Sequence, residues 1–97
     1  MNQSICNAIN SRTCLRVVYD GLNRIVEPHA YGVSTAGNEV MRVFQVGGGS
    51  ASGESVGWKL MAIDQVQGLQ ATNTPSQAPR PGYKRNDSAM ARIYCQI

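Results

Sequence analysis

Residues 24–32 concentrate the polar chemistry of this sequence. The segment holds an arginine, a glutamate, the single histidine of the chain and a tyrosine, namely Arg24, Glu27, His29 and Tyr31. On a strand, successive side chains point to opposite faces, so Glu27, His29 and Tyr31 would share one face. Pro28 lacks an N–H, which predicts an edge strand, or a bend or bulge, at this position. The three side chains on that face either form a pocket wall or are hydrogen-bonded packing residues.

Two functions suit a histidine and a tyrosine beside arginines. A small metal-independent ribonuclease could use His29 as its general acid or base, with Arg24 and Arg42 stabilising the charged transition state. Arginine also binds phosphate without cleaving it, and one histidine cannot form a two-histidine acid–base pair. These residues therefore favour binding over cleavage, and no catalytic residue is assigned. No cofactor is expected, and the spacing of the cysteines and the histidine does not predict a metal site.

A second concentration of charge lies in residues 80–85, within a basic, proline-rich segment. Three cations and one aromatic ring occur there: Arg80, Tyr83, Lys84 and Arg85. Such a segment can contact phosphates and stack a base at the same time. Acting together with Arg24 and Arg42, it would neutralise about four phosphates of a single strand. The alternative is a solvated surface segment that its tyrosine fixes to the domain.

Trp58 and a glycine-rich loop each have a structural and a functional interpretation. Trp58 either stacks a base or is a core residue, and the core is favoured because Leu60 and Ala62 would share its face. Residues 47–57 match the glycine spacing of a phosphate-binding P-loop, but Glu54 stands where that loop needs a lysine. A flexible connector is therefore predicted for the loop.

Length and composition predict a single small domain over residues 1–97 with a modest core. The formal charge of +3 and the pI near 9.0 permit contact with nucleic acid or another polyanion without requiring it. Cys6, Cys14 and Cys95 are an odd number at irregular spacing. The first residues form no signal peptide, and no apolar run is long enough to cross a membrane. A reduced, cytoplasmic protein without membrane contact is the simplest interpretation.

Hydrophobic periodicity predicts a short helix followed by five strands. Residues 4–12 form the helix, with Ser4 as its cap and an apolar stripe on one side. Alternation and turn residues predict strands over residues 14–19, 24–33, 39–46, 57–63 and 66–72. Residues 89–95 lack this alternation and are predicted to be helical. The expected architecture is mainly β, a small barrel over residues 14–72 with satellite helices, followed by the basic segment and a C-terminal segment over residues 73–97. The predicted core residues are Val17, Val26, Val43, Phe44, Leu60 and Ile63.

The order of several short motifs resembles that of the WYL domain family. Four motifs follow one another. A strand ends at Tyr19, an Arg-x-Val-x-Pro strand begins at Arg24, a turn contains Gly37, and an aromatic-x-Leu strand starts with Trp58. The resemblance covers about residues 5–72 and implies an Sm-like, SH3-type β-barrel of about five strands. Members of the family sense ligands or nucleic acid and regulate transcription or phage-defence systems. For this chain the resemblance implies a binding role, with Tyr19, Arg24 and Arg42 as pocket or polyanion contacts.

Two departures limit what the resemblance implies. The name-giving Trp-Tyr-Leu motif of the family corresponds to residues 40–42, which contain no aromatic residue. The DNA-binding helix-turn-helix that precedes most WYL domains has no counterpart in this sequence. Only the binding half of the family's role is therefore expected.

We therefore expect a non-catalytic domain that binds single-stranded nucleic acid or a small anionic ligand, in a regulatory or defence role. A toxin-like ribonuclease is one alternative, and a subunit that self-associates through an edge strand into a homo-oligomer is another. The candidate binding residues are Tyr19, Arg24, His29, Tyr31, Arg42, Trp58, Arg80, Lys84 and Arg85.

Overall fold

The computed structural model describes residues 1–51 and 53–97 and is built around one antiparallel sheet. A helix, α1 (Gln3–Ser11), precedes the strands β1 (Thr13–Tyr19), β2 (Leu22–Ser34), β3 (Glu39–Gly48) and β4 (Gly57–Ala62). A 3-10 turn (Ile63–Gln65) leads into β5 (Val66–Pro75), and β6 (Met90–Gln96) is the last strand. The predicted mainly β class with a short N-terminal helix is confirmed. Within the described residues, no helix is long and apolar enough to span a membrane.

The helix α1 packs its apolar stripe against the sheet. The Asn2 side chain accepts a hydrogen bond from the Ser4 N–H and caps the first turn. The predicted helix is confirmed, whereas the prediction of Ser4 as its cap is wrong. Ile5 and Ile9 are fully buried in the core beneath the helix. Because nine residues are too few for a stable isolated helix, α1 depends on this packing.

The strand β2 is the centre of the sheet, because three other strands pair with it. The sheet order is β4-β3-β2-β1-β5, and β6 pairs with the second half of β2. On one side, β3 pairs with β2 over residues 24–33. On the other side, β1 pairs with β2 up to Val26, and β6 pairs with it from Ala30 onward. Residues 27–29 lie in the gap between β1 and β6. Neither strand pairs with them there, so another segment of the chain can contact them.

A β-bulge interrupts β2 within this gap. The register against β3 shifts between Pro28 and Ala30, so His29 is an extra residue. The bend or bulge predicted at the proline is confirmed, and the edge position is not. The extra residue also changes which side chains share a face. Tyr31 packs in the core beneath α1, so the prediction that it shares a face with Glu27 and His29 is wrong.

The hydrophobic core lies between α1 and one face of the sheet, which we call the core face. Its fully buried strand residues include Leu15, Val17, Val26, Met41, Val43 and Met61. Three of the predicted core residues are therefore confirmed, and Ile63 packs at the margin of the core. The prediction is wrong for Phe44 and Leu60. Alternation turns both side chains to the opposite, outer face, where Phe44 contacts Trp58 and Leu60 is 40 % exposed.

The prediction of a C-terminal helix is wrong, because residues 90–96 form β6. The pairing of β6 with β2 shifts register twice, so its inward side chains do not alternate regularly. Ile93 packs on the outer face while the next residue, Tyr94, packs against the core. Gly32 permits the close approach of the two strands, since a Cβ there would lie 2.0 Å from the Arg92 carbonyl oxygen.

A disulfide joins the two ends of the described fold. Cys6 of α1 is bonded to Cys95 of β6, which lies 89 positions later in the sequence, and their Cα atoms are 5.7 Å apart. The expectation that all three cysteines are reduced is therefore wrong for this pair. Cys14 is buried and has a free thiol. The sequence shows no sign of the pair, because its two members become neighbours only through the pairing of β2 with β6.

Candidate functional site

Residues 76–89, which we call the arm, connect β5 to β6 and cross the outer face of the sheet. The arm fills the gap in the pairing of β2. The Gln77 N–H donates to the Glu27 carboxylate at 2.7 Å, and the Arg80 N–H donates to His29 Nε2 at 3.0 Å. The bulge in β2 therefore provides the attachment point of the arm.

A buried carboxylate fastens the arm through an ion pair. Arg80 donates from Nε to Glu27 Oε1 at 2.7 Å and from Nη2 to Oε2 at 3.2 Å. Its guanidinium also lies 4.8 Å from the ring centroid of Phe44. Burial alone would raise the pKa of Glu27, but the hydrogen bonds from Arg80 and from the Gln77 N–H outweigh it and lower that pKa. Arg80, predicted as a polyanion contact, is thus already neutralised within the fold.

His29 is a fully buried clamp between β2 and the arm. Its Nε2 accepts from the Arg80 N–H, so the ring proton is on Nδ1, which donates to the Glu27 carbonyl oxygen at 2.9 Å. Burial lowers the pKa of His29, and the ring is neutral. The ring also packs against Trp58 and Tyr83, with centroids 4.6 and 5.1 Å away. Both ring nitrogens are occupied, so His29 has no free position for proton transfer.

The arm and the outer face enclose a cavity of about 220 Å³, which we call the arm pocket. Trp58 and Tyr83 supply its aromatic wall, and Arg42, Lys84 and Asp87 supply its charged groups. The Trp58 indole N–H donates to the Pro81 carbonyl oxygen at 3.2 Å, which fixes the ring beneath the arm. Trp58 is partly exposed rather than in the core, so the favoured sequence interpretation is wrong.

The cations around the arm pocket differ in their partners. Arg42 donates to Asp87 from Nε at 2.7 Å and from Nη2 at 3.3 Å, and these bonds lower the pKa of the Asp87 carboxyl. Lys84 and Arg85 are exposed, and neither forms a hydrogen bond or ion pair within the described part of the chain. Lys84, which lines the arm pocket, and Arg85, which follows it in the arm, are therefore available positive charges.

A second cavity, of about 210 Å³, lies beside the glycine-rich loop that joins β3 to β4. Its polar lining comes from Tyr19, Asp20, Arg24, Ser50 and Lys59, and we call it the Arg24 pocket. Arg24 and Lys59 project from the core face, whereas Arg42 and Trp58 project from the outer face. The predicted binding residues therefore fall into two separate sites.

Tyr31 belongs to neither pocket. Its hydroxyl donates to Glu39 and accepts from the Asn2 N–H at 2.7 Å, so it connects β2 to the start of α1. Burial and the hydrogen bond to Glu39 raise the pKa of Tyr31 to about 12. The structure gives this residue a packing position, and access to it from solvent is closed.

Sequence reasoning missed the acidic partners and one cation. Glu27 and Asp87 neutralise arginines that lie 53 and 45 residues away in sequence, and no local pattern signals such pairs. Lys59 could have been found, because alternation along β4 places its side chain on the face of the sheet opposite to that of Trp58. No group of three or more histidine, cysteine or acidic residues able to hold a metal ion occurs in residues 1–51 and 53–97.

Comparison with known proteins finds no matching family model, no matching curated protein and no matching solved structure. The resemblance to WYL domains therefore stays a prediction.

Proposed function

We propose that this protein is a non-catalytic binding domain whose arm pocket takes a base of single-stranded nucleic acid. The observation that carries the proposal is that two aromatic rings and an unpaired cation line one cavity, with a second unpaired cation next to it on the arm. Trp58 and Tyr83 line the arm pocket together with Lys84, and Arg85 follows directly on the arm. A base stacked on such rings gains about 1–3 kcal/mol, and this gain does not depend on its identity.

The paired charges limit how many phosphates the arm can neutralise. Arg80 and Arg42 already have carboxylate partners, and Arg24 lies in the other pocket. The four phosphate contacts expected from the sequence therefore reduce to two, at Lys84 and Arg85. Each phosphate contact on a single strand contributes about −0.7 to the slope of log K against log salt, so we expect a slope of about −1.4.

A small Sm-like or SH3-type barrel related to WYL domains remains part of this proposal. The two edge strands of the sheet path, β4 and β5, are consecutive in the chain and joined by a single 3-10 turn. This connection keeps the two edges of the sheet near each other. It supports a curved sheet of the barrel type.

The ribonuclease alternative has less support, because the geometry occupies its candidate base. His29 is fully buried, and both of its ring nitrogens are hydrogen-bonded. Self-association through β4 also has less support. Although this strand is an edge of the sheet and Leu60 on it is exposed, Lys59 lies at its middle, and an edge lysine discourages strand addition.

The test is a fluorescence-anisotropy titration of a labelled, unstructured DNA oligonucleotide at several salt concentrations. The double variant Lys84→Gln/Arg85→Gln should bind more weakly, with a slope near zero. The control Arg16→Gln/Arg92→Gln removes the same charge from exposed positions outside the arm pocket and should keep the slope.

The single tryptophan gives a second signal from the same titration, since Trp58 fluorescence should be quenched when a base stacks on it. The oligonucleotide, or an RNA of the same sequence, should be recovered intact. Absence of binding at low salt, or equal slopes for the two double variants, would rule out this use of the arm pocket.

A further inference from the structure

Arg24 is a buried cation without a close carboxylate. The residue is only 3 % exposed. Its Nη2 donates to the Tyr19 carbonyl oxygen at 3.1 Å, and its Nη1 makes a long bond of 3.4 Å to Gln45. The only ion pair that Arg24 makes among the described residues is to Asp20, at 3.6 Å, and that side chain is 51 % exposed. A buried charge with so weak a counter-ion is costly, so its site favours an entering anion.

The guanidinium also has a donor to spare. The Arg24 Nε is buried and has no hydrogen-bond partner among the described residues. Buried donors in folded proteins are nearly always paired, and an unpaired one calls for an explanation. Arg24 lines a cavity of about 210 Å³, in which a bound acceptor could take up this donor.

A second cation faces the same cavity. Lys59 lines it from β4 and donates from Nζ to the Glu54 carbonyl oxygen at 2.9 Å and to the Ser50 hydroxyl at 3.3 Å. The lysine thereby holds the glycine-rich loop beside the opening. From below, the buried Gln45 side chain donates to the Gly47 and Gly49 carbonyl oxygens at 3.1 and 2.9 Å. Residue 52 lies outside the described part of the loop predicted to be a flexible connector. The described part is held by these hydrogen bonds at the mouth of a cationic cavity.

We infer that the Arg24 pocket binds the oxyanion group, phosphate or carboxylate, of a small molecule. The oxyanion would accept from Arg24 and Lys59, and it would replace Asp20 as the counter-ion of the buried guanidinium. Leu60 and Met61 of β4 complete the lining of this cavity. The site is separate from the arm pocket, so the inference does not depend on nucleic-acid binding.

The test is a titration of ¹⁵N-labelled protein with inorganic phosphate, followed by NMR against sodium chloride of equal ionic strength. Saturable shifts are expected for the Arg24 Nε–H and for the amides of the loop, with a Kd of about 1 mM or tighter. Lys59→Gln should weaken phosphate binding about tenfold, the loss expected for one charge-assisted hydrogen bond. Arg16→Gln, the matched charge control on β1, should leave the Kd within about twofold. Sodium acetate in place of phosphate then shows which oxyanion is preferred.

Three results would overturn the inference: no saturable shift, shifts confined to the arm, or equal losses in Lys59→Gln and Arg16→Gln. Lys59 is half-buried on an edge strand, so its variant should fold, which its NMR spectrum will verify. Lys59→Gln should still bind the oligonucleotide used to probe the arm pocket. Failure of one site is therefore distinguishable from failure of the other.

Discussion

The arm pocket and the Arg24 pocket hold their arginines in opposite ways. On the outer face, Arg80 and Arg42 each donate two hydrogen bonds to a carboxylate. On the core face, Arg24 relies on a carbonyl oxygen, a long amide contact and an exposed aspartate. An arginine with a bidentate carboxylate partner therefore fastens the fold, whereas a buried arginine without one remains a source of positive potential for a ligand.

The largest expected effect comes from removing an acidic partner. Glu27→Ala leaves Arg80 and the Gln77 N–H without their acceptor and should lower the free energy of unfolding by about 3 kcal/mol. Asp20→Asn removes the exposed partner of Arg24 and should cost less than about 1 kcal/mol. Urea denaturation at pH 7 measures both values. Equal losses in the free energy of unfolding would show that the two carboxylates matter equally to the arginines that they contact.

Substitutions at two glycines test whether the Arg24 pocket requires the observed backbone conformation of the neighbouring loop. Gly48 and Gly53 both have positive φ angles, +90° and +82°, so alanine at either site should cost about 1–3 kcal/mol. At Gly48 the added Cβ would also lie 2.1 Å from the Asn23 carbonyl oxygen, whereas at Gly53 it meets open space. Gly48→Ala should therefore be the more destabilising change in thermal unfolding and should also weaken phosphate binding. A loop that serves only as a connector would leave phosphate binding unchanged in both variants.

The smallest expected effect is a pH dependence of stability that arises at His29, where β2 bonds to the arm. The folded pKa of His29 lies below its usual value near 6.5, so the unfolded chain binds the proton more readily. Stability should therefore be complete above about pH 6.5 and fall as the pH drops toward the folded pKa, by about 1.4 kcal/mol for each unit of pKa difference. The lowered pKa of Glu27 acts in the same direction, but only near and below its ordinary value of 4.5.

His29→Gln separates these contributions. Glutamine retains an acceptor for the Arg80 N–H but does not titrate, so the loss of stability between pH 7.5 and pH 5 should largely disappear. Urea denaturation of the two proteins at both pH values provides the measurement. A variant that keeps the full pH dependence would show that His29 is not its origin.

Local periodicity accounts for how much of the fold could be predicted. The helix and the first five strands lie close to their predicted positions, because local apolar periodicity or flanking turn residues mark each of them. The bulge at His29 could be suspected from Pro28, but its effect on Tyr31 could not, since one extra residue reverses the face of all that follow. β6 was missed because two register shifts remove its alternation and its partner lies more than fifty residues away.

Several residues of the candidate sites were predictable from the sequence, but the way in which they group into two pockets was not. Arg42, Trp58 and Lys84 do meet in one pocket, and Tyr19 and Arg24 meet in another. What the sequence could not show is which arginines have carboxylate partners, because these pairs form only when the arm folds over the sheet. The number of charges available to a ligand depends on that long-range packing.

The bond between Cys6 and Cys95 has a mechanical consequence. Once the pairing of Gln96 with Ala30 has opened, tension applied to the chain beyond these two cysteines would pass through one covalent bond, and the strands between the cysteines would carry little of it. Fused between two partners, the protein would behave as a short, inextensible link. Although the two cysteines are 89 positions apart in sequence, the chain between them would add only the 5.7 Å that separates their Cα atoms.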